Sequence, residues 1–169
     1  EMCNIFANGG ACETLRAEVV GFRKGKVLLM PLDHLQGVGP GCKIVSLGRK
    51  ASIAVGKKLL GRIIDGLGNP IDGKGPVELE DDYPLYSEPI NPLERGRIAE
   101  PMDLGIRVLN GLLSCGKGQK MGIFSGSGVG KSILMGMIAR FTKADVNVIG
   151  LIGERGREVR EFVEKNLGP

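Results

Sequence analysis

Met121-Gly-Ile-Phe-Ser-Gly-Ser-Gly-Val-Gly-Lys-Ser132, MGIFSGSGVGKS, decides how this chain is read. MGIF at 121–124 has the composition of a short apolar strand. From Ser132 to Phe141 the residues Ile133, Leu134, Met135, Met137, Ile138 and Phe141 leave few polar positions, as in a helix buried against a sheet. Between them lies a match to the phosphate-loop pattern G-x-x-x-x-G-K-[ST], broken only at its first position, where Ser125 replaces glycine. Such a loop aims backbone N–H groups at phosphate oxygens from a helix N-terminus. It needs glycine where a Cβ would block the approach or where φ is positive. Gly126, Gly128 and Gly130 meet that need, with Ser127 and Val129 completing the backbone of the cradle. Position 125 falls at the strand exit, where any small residue with ordinary dihedrals suffices. Lys131 brings a cation to the β- and γ-phosphates, and the Ser132 hydroxyl is placed to ligate Mg²⁺, so ATP with Mg²⁺ is the expected ligand.

Towards the C-terminus, VNVIGLI at 146–152 reads as a second buried strand, which completes a strand–loop–helix–strand unit. Parallel strands end on one side of their sheet, so Gly153-Glu-Arg-Gly-Arg-Glu158, directly after the second strand, would face the loop. Glu154 is then the candidate to orient or deprotonate a water, and Arg155 the candidate to counter charge on the γ-phosphate. Arg157, Glu158, Arg160 and Glu161 read as an ion-paired helix start. That helix sets Val159, Phe162, Val163 and Leu167 on one face and pairs Glu161 with Lys165.

Towards the N-terminus the grammar is that of strands. LRAEVVGF, KVLLMPL, KIVSL and ASIAV, separated by RKGK, GVGPG and GRK, predict a small closed or nearly closed β-barrel. LLGRIIDGLGNPIDGKGP packs Gly, Pro, Asn and Asp into a structured turn-rich connection, and DDYPLYSEPINPLERGRIAEP, with four prolines, reads as an extended arm. The expected organisation is a barrel at 1–57, a connection and arm at 58–100, and the first part of an α/β domain at 101–169.

Composition narrows the function classes. With 42% hydrophobic and 25% charged residues the chain is a folding one, and no apolar run approaches the roughly 20 residues of a membrane-spanning helix. The N-terminus EMCNIFANGG has no leader pattern, so a cytoplasmic location is expected. Cys3, Cys12, Cys42 and Cys115 form no C-x-x-C pair and have one histidine, His34, to join them, which reads as free thiols. A net charge of +4 with 4% aromatics offers little stacking surface, so nucleic acid is not an expected partner.

LLGRIIDGLGNPIDGKG, NPLERGRIAEPMDLGIRVLNGLLSCGKGQKMGIFSGSGVGKS and ADVNVIGLIGERGREVREFVE together resemble the ATPase of bacterial flagellar protein export. They are similar also to its counterpart in virulence type III secretion, and more distantly to the catalytic subunits of rotary ATP synthases. The resemblance implies a six-stranded N-terminal β-barrel followed by the start of a RecA-like P-loop ATPase domain, hence an α/β plus all-β fold. It further implies phosphate binding by Lys131, Mg²⁺ binding by Ser132, water activation by Glu154, and a family arginine at Arg155. The partners it implies are five more copies in a hexamer, the stalk, regulator and membrane gate proteins of the export apparatus, exported proteins and their chaperones. The implied place is the cytoplasm, peripheral at the inner face of the membrane. Both ends read as cut: Glu1 stands in place of an initiator methionine, and the chain stops before a Walker B aspartate, an adenine-stacking aromatic or a trans arginine finger. A rotary ATP synthase subunit and an RNA-translocating ring ATPase are the alternative readings.

Overall fold

In the computed structural model, residues 1–6, 14–126 and 128–167 are described, so Cys12 and Ser127 lie outside the described residues. The chain divides into two compact units, Glu1–Pro89 and Ile90–Pro169.

The first unit is all-β and barrel-like. Strands β1 (Met2–Phe6), β2 (Thr14–Arg23), β3 (Lys26–Pro31) and β4 (Lys43–Ser46) make an antiparallel sheet in the order β3-β2-β1-β4. β1 alternates, with Cys3 and Ile5 turned inward, a period-2 signal in MCNIF that the strand reading above passed over. Ile5, Leu15 and Ala17 form the core, with Leu29, Val38 and Cys42 packed on it. The β2–β3 hairpin turns through Lys24 (φ 48°) and Gly25 (φ 72°), the two successive left-handed residues that match the strand twist.

The remaining strands, β5 (Ser52–Val55) and β6 (Asp81–Pro84), form a separate two-stranded ladder running from Ser52 opposite Pro84 to Val55 opposite Asp81. β6 lies in the stretch expected to run as an extended arm. Its DDYP shows no strand periodicity and is fully exposed, so pairing with β5 alone makes it a strand. Between the two strands, the turn-rich connection is a knuckle closed by side chains. Arg62 donates to both carboxylate oxygens of Asp72 at 2.6 and 2.9 Å, and the Asp65 carboxylate accepts from the N–H groups of Leu67 and Asn69 at 2.9 and 2.8 Å.

The second unit holds a short ladder of β7 (Pro101–Met102) with β8 (Cys115–Gly116) and three helices, α1 (Arg107–Leu112), α2 (Lys131–Phe141) and α3 (Gly156–Glu161). α3 continues into a π-helical stretch, Phe162–Leu167. Here the structure corrects the sequence reading. MGIF and VNVIGLI, expected as strands, carry no ladder among the described residues, and Phe124, Val148 and Ile152 are more than nine-tenths exposed. α2, expected to be buried on most sides, exposes Ile133, Met135, Met137 and Phe141. A strand exists only where a neighbouring segment pairs with its edge, and no described segment pairs with either stretch. Apolarity marks residues that favour burial; it does not supply what buries them.

Candidate functional site

The loop at 125–130 is shaped by two of its three glycines. Gly128 lies at φ 79° and Gly130 at φ 95°, both in the left-handed region that a Cβ disfavours. Gly126 is outside that region, and a Cβ built on it would meet nothing within 4 Å among the described residues, none of which therefore requires glycine there. Gly130 is also the residue from which α2 starts: its carbonyl accepts the N–H of Leu134 at 2.9 Å and opens the helical ladder. Lys131 and Ser132 are therefore the first two helical residues, and both are exposed. Their N–H groups belong to the four at a helix start that have no intrahelical acceptor, and the helix dipole adds positive potential there. No carboxylate stands in the first turn of α2 to neutralise that potential. Exposed Ser125 and Val129 complete the described part of the loop.

The second pair of candidates sits at another helix start. Gly153, at φ 73°, turns the chain after 146–152, and exposed Glu154 follows. Arg155 precedes α3 in an extended conformation (φ −72°, ψ 142°), and its carbonyl accepts from the N–H groups of Glu158 and Val159 at 2.8 and 3.0 Å. Its guanidinium lies 3.9 Å from the Glu158 carboxylate with 87% of the side chain exposed, an ion pair too solvated to fix the side chain. The structure thus places Lys131 with Ser132, and Glu154 with Arg155, at the N-terminal ends of two different helices. Among the described residues, no hydrogen bond or ion pair joins one pair to the other.

α2 and the π-helical stretch that continues α3 pack directly. Gly136 is the buried residue of α2, and a Cβ there would collide with Asn166. Further contacts reach the far end of α2 from residues to which sequence reasoning assigned nothing: Asp103 accepts at the C-terminal cap, and Asn147 donates to the Ala139 carbonyl at 2.9 Å. A cavity of about 210 Å³ in this unit is lined by Pro101, Met102, Asp103, Asn110, Ser114 and Cys115, and by no residue of the loop.

The ATP synthase alpha/beta family, nucleotide-binding domain, matches residues 105–169. The flagellum-specific ATP synthase of Pseudomonas aeruginosa is 50% identical over 167 residues, covering 98% of this chain and 37% of that protein. A type 3 secretion system ATPase of Xanthomonas euvesicatoria is 48% identical, covering 99% of this chain and 38% of that protein. Among solved structures, the assembled ATPase EscN of the enteropathogenic E. coli type III secretion system superposes with a TM-score of 0.81 at 40% identity, over 95% of this chain and 44% of that one. EscN in complex with its central stalk EscO matches equally well, over 99% of this chain and 45% of that one. The chain spans a little over a third of the length of these curated relatives. Its fold is a barrel-like unit followed by residues that match the family's nucleotide-binding domain.

Proposed function

We propose that this chain, whose residues 105–169 match the nucleotide-binding domain of the ATP synthase alpha/beta family, is part of an ATP-hydrolysing motor subunit of the flagellar, type III protein export apparatus. The observation that carries the reading is the loop: left-handed Gly128 and Gly130 lead into Lys131 and Ser132 at the carboxylate-free start of α2. These groups fit a nucleoside triphosphate with its metal. N–H donors and a lysine ammonium suit phosphate oxygens, a serine hydroxyl suits Mg²⁺, and the two left-handed glycines keep the approach free of Cβ atoms. The bound nucleotide would supply the phosphoanhydride to be cleaved. In this reading Lys131 holds the phosphate charge and Ser132 the metal, Glu154 orients a water and accepts its proton, and Arg155 offsets charge on the terminal phosphate.

The whole protein is read as a hexameric ring. EscN was solved as an assembly and with its stalk EscO, which supports an oligomer and a stalk partner here. Regulator and membrane gate proteins, exported proteins and their chaperones complete the proposed partners. The proposed place is the cytoplasm, at the inner face of the membrane. No helix among the described residues is long and apolar enough to cross a membrane.

Glu154→Gln in the assembled full-length protein tests the chemistry. The amide keeps size and most hydrogen bonding but removes the base, so hydrolysis is expected to fall by about 10²–10⁴-fold while ATP still binds. Near-normal turnover with intact binding would refute the catalytic assignment. Lys131→Ala is expected to abolish turnover and weaken binding together.

A further inference from the structure

The hydrogen bonds that tie α2 to other segments lie at one end, and its packing on Asn166 is at Gly136, in its middle. Among the described residues, every hydrogen bond that ties this helix to another segment reaches it at Ala139 or beyond. Lys131 and Ser132 sit at the opposite end, about 16 Å away at about 1.5 Å per residue. A tilt of about 5° at the anchored end would therefore displace them by about 1.4 Å. Misplacement on the order of 1 Å can cost about 10²-fold in rate.

The anchor is built around Asp103. Its main-chain carbonyl accepts from the N–H of Lys143 at 2.9 Å and from the Thr142 hydroxyl at 3.1 Å, at the point where α2 ends. Its carboxylate accepts from the N–H of Gly105 at 2.8 Å and from the Asn110 side-chain Nδ2 at 2.6 Å, while the Asn110 side-chain Oδ1 accepts the N–H of Leu104 at 3.0 Å. These bonds close residues 103–110 into a ring that holds the Asp103 carbonyl in place. Gly105, at φ 71°, brings its backbone against Phe141 so closely that a Cβ would overlap that residue's main chain. Hydrogen bonding to Gly105 and Asn110 holds the Asp103 carboxyl below the usual carboxylate range, so the ring is charged and closed at neutral pH.

We propose that Asp103 and Asn110 are positioning residues for nucleotide handling: the ring they close aims the N-terminus of α2, and with it Lys131 and Ser132, at the phosphates. The inference rests on the phosphate-loop reading above. Neither residue touches the nucleotide; both act through the helix.

The test uses the full-length protein and a donor–acceptor exchange. Asn110→Asp sets a second carboxylate against that of Asp103 and breaks the ring, whereas Asp103→Asn combined with Asn110→Asp restores one amide facing one carboxylate. The single variant is expected to lose about ten- to a hundredfold in kcat/KM for ATP, with faster amide exchange at Thr142 and Lys143. The double variant is expected to recover both, to within about threefold of the parent. Unchanged turnover in Asn110→Asp despite accelerated exchange, or lost turnover in a double variant whose exchange is restored, overturns the proposal. So does unchanged exchange in Asn110→Asp. Lys131→Ala, measured alongside, keeps the two ideas apart: normal turnover in that variant would remove the phosphate-loop assignment, whereas the exchange data judge the ring without reference to ATP.

Discussion

Replacing Gly130 with alanine isolates what the loop asks of its backbone. At φ 95° an L-residue brings its Cβ towards the following carbonyl, which costs about 1–2 kcal/mol. Among the described residues, a Cβ built on Gly130 meets no atom within 4 Å, so no packing clash with them adds to that figure. The cost corresponds to roughly a 5–30-fold shift in equilibrium against the observed loop. Two readouts should carry it. The Leu134 amide, whose acceptor is the Gly130 carbonyl, should exchange faster by about that factor in the nucleotide-free protein. ATP affinity should fall by about the same factor, because only the fraction of molecules with a competent loop can bind. Gly126→Ala is the control: with neither a positive φ nor a neighbour to strike, it should leave amide exchange in the free protein unchanged, and any loss of affinity would report a collision with the ligand itself. Equal acceleration of exchange in the two variants, or none in Gly130→Ala, would refute the reasoning.

Two further outcomes concern the first unit. Leu15→Ala, in the Ile5–Leu15–Ala17 core, should destabilise that unit by about 2–5 kcal/mol, read from its denaturant transition. Asp72 is held far below its ordinary carboxyl pKa of 3.8, first by its hydrogen bonds from Arg62 and then by the N–H groups of Lys74 and Ile63. A depressed pKa contributes stability above 3.8 that is lost as the pH falls below it, so Asp72→Asn should lower the melting temperature at pH 7 and flatten its decline below about pH 4. A parallel decline in the parent and the variant would show that this carboxylate does not carry the acid sensitivity.

Much of the local structure was legible because its causes are adjacent in sequence. The start of α2 at Lys131 follows from a glycine-rich run that cannot continue a helix and an apolar run that can. Strands β2 to β5 follow from alternating or β-branched runs cut by glycine turns, and the Lys24-Gly25 turn sits where RKGK suggested one. The knuckle at 61–75 was readable as a structured connection, since Asp65 and Asp72 find their donors within a dozen residues. The face expected along α3 and its π-helical continuation held in part: Phe162 is buried, Val159 and Val163 are half-buried and Lys165 meets Glu161 at 2.5 Å, while Leu167, expected on the same face, is exposed.

What sequence alone determined, then, is where the backbone must turn left-handed, where a helix must begin, and which side chains stand at that beginning. These are properties of φ, ψ and neighbouring residues. Tertiary structure alone decided which segments find partners. DDYP became a strand because Ser52–Val55 lies beside it, while the more apolar MGIF and VNVIGLI carry no ladder. Asp103 reads as an ordinary acidic residue until its carbonyl is seen at the end of a helix forty residues downstream. Hydrogen-bond partners across such separations depend on the path of the whole chain, and neither composition nor periodicity encodes that path.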